Sequence, residues 1–176
     1  MPTYLIIGNF FSLLAALCIA ISVVKKNKGD LILWQLWSII FSIFACFALK
    51  AYAALITCIM DAIRNTLAYK NKLTVQITTL LAILCIIVGW LVNNLGLIGI
   101  VAIAASVSYT IFMYTTKNEQ QMRWALVFIQ VLWIIHNLYI KAYPFVITDL
   151  VLALWTLIQI FKNRKKFLDV TKASQQ

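Results

Sequence analysis

Proline occurs only twice in this chain of 176 residues, histidine once and acidic side chains five times. Each scarcity excludes something. With 11% charged residues against 64% hydrophobic, the chain cannot build an ordinary soluble surface. A single histidine, with cysteines at 18, 46, 58 and 85 in no ligand-like spacing, leaves no recognisable metal site. All four cysteines fall inside apolar runs, so they read as small packing residues and no disulfide framework is expected. The prolines are Pro2 and Pro144, and the second opens a helix, where proline is tolerated. Nucleophilic chemistry needs an activated group with a base in reach, and scattered hydroxyls supply no such set. The chain is therefore read as no enzyme, with no cofactor and no metal.

What is present is long apolar runs joined by short polar segments. A helix needs roughly 20 residues to span hydrocarbon. On that measure seven spans are expected, at 4–24, 31–49, 51–69, 74–92, 96–116, 124–140 and 144–161. Alternating polar and apolar residues are missing from these runs, which argues against a β-barrel. The expected class is an all-α membrane protein.

The cations set the threading. With the N-terminus outside, Lys25, Lys26, Lys28, Arg64, Lys70, Lys72, Lys117 and Arg123 fall at or near the cytoplasmic side, as do Lys162, Arg164, Lys165, Lys166 and Lys172. Only Lys50 and Lys141 fall outside. Positive flanks stay cytoplasmic, so the expectation is N-out and C-in. Lys25 and Lys26 follow the first span instead of preceding it, the reverse of a cleavable signal, so that helix is expected to stay. The net charge of +10 then reflects clusters beside helices. Such clusters suit anionic lipid headgroups, and no basic domain exists to hold nucleic acid.

The chain also repeats itself at an offset of ninety-one residues. Lys50-Ala51-Tyr52 with Ile56-Thr57 returns as Lys141-Ala142-Tyr143 with Ile147-Thr148. The same offset pairs Ile7-Gly8 with Ile98-Gly99 and Lys26-Asn27 with Lys117-Asn118. This divides the chain into a triple-helix repeat at 1–72, a linker helix at 73–95, a second repeat at 96–166 and a cytoplasmic tail at 167–176. Three helices invert the chain, so one further crossing is needed before a second unit can lie parallel to the first. Parallel repeats about an axis along the membrane normal are a known transporter plan.

This three-one-three order resembles the SWEET sugar carriers, the PnuC-type vitamin transporters and the wider PQ-loop group. The whole chain resembles the YgjV family of small bacterial inner-membrane proteins. The resemblance implies a multi-pass inner-membrane protein with a periplasmic N-terminus and a cytoplasmic C-terminus. It departs from SWEET carriers in lacking their helix-breaking prolines, and it contains no Pro-Gln dipeptide. By position, the solute-binding places of the third and seventh SWEET helices correspond here to Asn65 with Thr156 and Arg64 with Trp155.

Ionisable residues inside spans are the first functional candidates. Asp61 lies in the third span and Asp149 in the seventh. Asp149 corresponds to Cys58, about one turn before Asp61. Arg64 and Asn65 follow Asp61 on one helix face. They either bind a polar solute with it, or Arg64 neutralises Asp61 while snorkelling to the interface. In the sixth span, Gln130, Trp133 and Asn137 form a stripe with His136 beside it. An indole and two amides can read a flat solute, or the same groups can hold helices together. Asn9 is a weaker candidate. Gly8, Ser12, Ala16 and Ala20, and also Gly99, Ala102, Ser106 and Thr110, read as small packing faces. Trp34, Trp37, Trp124, Tyr52 and Tyr143 read as interface anchors.

The expected function is a transporter or facilitator of a small polar solute, through a path between the two repeats. The alternative is a small membrane partner or structural protein without transport. The expected partners are the solute, the bilayer and, as an option, further copies of the chain.

Overall fold

The computed structural model describes residues 2–24, 28–70, 72–115 and 119–173. The described residues form seven helices and no strand: α1 (Thr3–Val24), α2 (Lys28–Ala48), α3 (Tyr52–Tyr69), α4 (Val75–Leu91), α5 (Leu97–Thr115), α6 (Glu119–Tyr139) and α7 (Tyr143–Ala173). Lys25, Lys26, Asn27, Lys117 and Asn118 lie outside the described residues, as do the side chains of Lys28, Arg164, Lys165, Lys166 and Lys172. Three helices overrun their expected spans by three residues or more. α2 begins at Lys28 instead of 31, α6 begins at Glu119 instead of 124, and α7 continues past 161 to Ala173. Hydropathy measures hydrocarbon thickness, whereas Glu, Gln, Lys and Arg extend a helix readily into water.

Three of the described helices are long and apolar enough to cross a membrane, over Thr3–Ser22, Gln120–Tyr139 and Tyr143–Lys162. Shorter apolar stretches run over Leu33–Ala48, Val75–Leu91 and Leu97–Phe112. α3 belongs to neither group, and it is the helix that carries Asp61 and Arg64. Phe10, Phe47, Trp90, Leu91, Leu97 and many other large apolar side chains point outward. Such a sheath suits hydrocarbon as its solvent.

Six helices close into a cycle of neighbours: α1 packs on α2, α2 on α3, α3 on α5, α5 on α6, α6 on α7, and α7 returns to α1. α4 stands outside this ring, against α3 and α5. The core joins all six: Leu5, Cys46, Leu49, Ala51, Ala54, Ala102, Ile140 and Ala142 are buried together, with Cys58, Trp133 and Phe145 packed against them. Ala51, Ala54, Ala102 and Ala142 have no exposed surface. Side chains this small let helix backbones approach closely.

The turns that end α2 and α6 are built alike. Lys50 and Lys141 take the left-handed conformation, with φ of 57° and 60°. The Lys50 amide donates to Phe47 O at 3.1 Å and the Ala51 amide to Cys46 O at 2.9 Å. The Lys141 amide donates to Leu138 O at 3.2 Å and the Ala142 amide to Asn137 O at 2.9 Å. Both are Schellman caps, which satisfy the orphan carbonyls at a helix end. Each is clasped by an asparagine from elsewhere. Asn9 Nδ2 donates to Lys141 O at 3.0 Å, and Asn9 Oδ1 accepts from the Tyr143 amide at 3.0 Å. Asn94 Nδ2 donates to Lys50 O at 2.7 Å, and Asn94 Oδ1 accepts from the Tyr52 amide at 3.3 Å.

One small-residue face differs from expectation. On α1 the buried positions are Leu5, Gly8, Ser12, Ala15, Cys18 and Ser22, whereas Ala16 is half-buried and Ala20 exposed. A strict step of four drifts around a helix of 3.6 residues per turn, so the face that stays inward alternates threes and fours. On α5, Gly99, Ala102, Ser106 and Thr110 are all buried.

Candidate functional site

Two polar clusters lie among the apolar helices. The first crosses from α3 to α5. Arg64 Nη1 stands 3.0 Å from Asp61 Oδ1, one turn back on the same helix face. Ser106 Oγ donates to the same carboxylate oxygen at 2.9 Å. Arg64 Nη1 also donates to Thr110 Oγ1 at 3.0 Å. The guanidinium carbon sits 4.6 Å from the centre of the Tyr109 ring, a cation–π distance. Arg64 is 5% exposed. Arg64 thus pairs with Asp61, and its head group is held against α5 by a hydroxyl and an aromatic face. Its Nε is buried with no hydrogen-bond partner.

A small cavity adjoins this cluster, lined by Asp61, Arg64, Cys85, Ser106 and Thr110 together with apolar groups of α3, α4 and α5. Its volume is about 10 Å³, on the order of what a single water needs. A sugar or vitamin does not fit without movement of the helices.

The second cluster joins α6 to α7. Asn137 Nδ2 donates to Asp149 Oδ2 at 2.8 Å. His136 Nδ1 lies 3.4 Å from Asn137 Oδ1. The His136 ring has no exposed surface, and its Nε2 has no partner. Trp133 meets that ring edge-on, with centroids 5.7 Å apart. Gln130 Oε1, further back along α6, is also buried without a partner. Ninety-one positions earlier the chain holds Cys46 and Cys58, with Cys58 packed against the core cluster that contains Cys46. One half therefore has a carboxylate and an amide where the other has two thiols.

The two clusters together contain Asp61, Arg64, Trp133, His136, Asn137 and Asp149. The remaining expected site residues stand apart. Thr156 Oγ1 donates to Leu152 O of its own helix at 2.8 Å, and Trp155 is 57% exposed on the outside of α7. Asn65 is half-buried on α3. Sequence reading missed Ser106, Tyr109 and Thr110 as partners of the charged pair. Ser106 and Thr110 did stand out as members of a small-residue face, but a packing hydroxyl and a ligand hydroxyl have the same spacing.

A family model described as bacterial inner membrane protein, Imp-YgjV, matches residues 6–166. No curated protein and no solved structure matches the chain.

Proposed function

The chain belongs to the YgjV family of bacterial inner membrane proteins, and from that premise we propose that it transports a small polar solute through a path between two parallel triple-helix repeats. In this reading all seven helices cross the membrane, with the N-terminus periplasmic and the C-terminus cytoplasmic. α1–α3 form one repeat, α5–α7 the other, and α4 is the linker. The seams between the halves are then α3 against α5 and α1 against α7, a two-fold pattern that the neighbour relations fit. The matching Schellman caps at Lys50 and Lys141 fit it as well.

The observation that carries the reading is the Asp61–Arg64 pair bonded across the α3–α5 seam to Ser106 and Thr110. Charges within hydrocarbon are costly, and packing alone would be served by apolar residues. At a seam between halves, the cluster offers a solute an anionic acceptor and cationic donors on α3 and two hydroxyls on α5. The small volume beside it corresponds to a closed state. Admitting a solute requires α3 and α5 to part, exchanging protein bonds for solute bonds.

The test is a thermal-shift screen of the purified protein against sugars, nucleosides, vitamin precursors and amino acids, followed by uptake of any hit into proteoliposomes. A dose-dependent rise in melting temperature that Asp61→Asn abolishes, with uptake to match, supports the reading. Uniformly flat responses from protein with a clean melt would sink it and favour a partner protein without transport.

A further inference from the structure

The two intramembrane carboxylates are treated differently. Asp61 has a guanidinium at 3.0 Å and a hydroxyl donor at 2.9 Å. Asp149 has the Asn137 amide at 2.8 Å, and no cation pairs with it among the described residues. It lies six residues into α7 from Tyr143, about 9 Å along the axis. A carboxylate at that depth with one neutral donor is not stable as an isolated charge; it must bind a cation or take up a proton.

The surroundings choose between these. α7 packs on α6 and α1. The titratable or charged groups of α6 are Glu119, Arg123, His136 and Tyr139, and those of α1 are Tyr4 and Cys18. Arg123 bonds to Gln159 O, ten residues beyond Asp149 on α7. Tyr139 is exposed. On α7 itself, Tyr143 is exposed at the start and Lys162 lies at the opposite end of the apolar stretch. Among the described residues, His136 alone of these groups is linked to Asp149, through Asn137. A hard metal cation needs a cage of six or more oxygens, and the amide oxygen of Gln130 stands two turns back along α6. A proton needs one free carboxylate oxygen, and Asp149 Oδ1 is left over when Oδ2 accepts from Asn137.

We propose that Asp149, Asn137 and His136 form a proton-binding site in the second half of the chain, distinct from the Asp61–Arg64 cluster. A proton adds to Asp149 Oδ1 and gives the neutral acid, while Asn137 Nδ2 holds Oδ2. His136 is a positioning residue: from Nδ1 it sets the orientation of the Asn137 amide, and its unpartnered Nε2 points the cluster toward an approaching proton. The corresponding cysteines of the first half cannot replace this, so one proton is bound per chain. This deepens the transport reading, on which it rests only for the coupling of that proton to a solute.

Infrared spectroscopy of the protein in lipid nanodiscs tests it without any solute. The expected result is a protonated-carboxyl C=O stretch that disappears as pH is raised. That band is lost in Asp149→Asn, is kept in Asp61→Asn, and disappears at a different pH in Asn137→Ala and His136→Gln. If Asp149→Asn does not fold, the Asp61→Asn protein serves, because Asp149 is then the one carboxylate left within an apolar stretch. A band absent at every pH, or surviving Asp149→Asn, overturns the proposal. So does sodium, with choline as control, raising the melting temperature of wild type but not of Asp149→Asn, because the site then holds a metal cation. A wild-type protein that lacks the band at every pH but still binds solute would remove the proton site and leave the transport reading standing.

Discussion

Asn9 and Asn94 perform the same task on opposite halves of the chain, each donating to a left-handed lysine carbonyl and accepting from the tyrosine amide two residues on. The turns they hold correspond at an offset of ninety-one residues, but the asparagines do not. That offset takes Asn9 to Ile100 and Asn94 to Thr3. The two braces therefore come from places that this offset does not pair. Asn9 of the first half grips the turn of the second, while Asn94, between α4 and α5, grips the turn of the first. One clasp ties α1 to the α6–α7 turn and the other ties the α4–α5 connection to the α2–α3 turn, and both turns contribute alanines to the core.

Removing one half of a clasp has a defined cost. Asn94→Asp keeps the acceptor for the Tyr52 amide and loses the donor to Lys50 O. Asn94→Ala loses both, at about 1 kcal/mol net per bond. The expected order of melting temperature is wild type, then Asn94→Asp, then Asn94→Ala, and the same for Asn9. Equal melting of all three would show the clasps contribute nothing.

Lys50 and Lys141 occupy a conformation that L side chains resist. Glycine has no Cβ to clash there, so Lys141→Gly should stabilise the protein by about 1 kcal/mol. Lys50 lies 5.8 Å from the Tyr4 ring centre, so Lys50→Gly gives up a cation–π contact and gains less. Thermal unfolding of the two single variants side by side checks both the sign and the ranking.

The helices were legible in the sequence because hydrocarbon imposes a length on apolar runs, and all seven appear near their expected places. The charged pair was legible too, since Asp61 and Arg64 are one turn apart. What they touch was not. Ser106 and Thr110 sit on a four-residue spacing that a packing face shares, and Tyr109 lies off that face; only the α3–α5 crossing assigns them. His136, Asn137 and Asp149 were all noted as candidates, yet Asn137 reaches Asp149 from one helix to the next, a contact on which the periodicity of a single helix carries no information. The inward face of α1 was misplaced at Ala16 and Ala20 for the opposite reason: a local spacing was followed further than a 3.6-residue helix allows.

Gly8 and Gly99 stand ninety-one residues apart, and both are crowded, but by different neighbours. A Cβ on Gly8 would stand 2.5 Å from Leu49 Cγ. Leu49 is buried in the core. A Cβ on Gly99 would collide with the Asn93 side chain. Asn93 is held by the Leu95 amide at 3.1 Å and by its own bond to Gly96 O at 2.8 Å. Overpacking of this kind costs roughly 1–3 kcal/mol. Both alanine variants should melt lower than wild type. Gly8→Ala should be the worse, because a branch carbon inside the core yields less readily than a side chain in a turn. A neutral Gly8→Ala would mean that α1 and α2 can separate at no cost.

The Asp61–Arg64 pair separates a structural from a functional role. Arg64→Ala leaves a buried carboxylate without its counter-charge, a loss of about 3–5 kcal/mol. Arg64→Met combined with Asp61→Asn removes both charges and keeps the volume, so it should recover most of that stability. Arg64→Lys keeps the charge and a nitrogen that can donate to both Asp61 and Thr110, but its ammonium lacks the planar face that lies on the Tyr109 ring. Unfolding midpoints in nanodiscs measure the first effect and solute-induced shifts the second. If the neutral double variant is stable and still binds solute, the charges serve the fold alone. If it is stable and blind to solute, as the α3–α5 geometry leads us to expect, evolution has kept a costly ion pair in the bilayer for what it recognises.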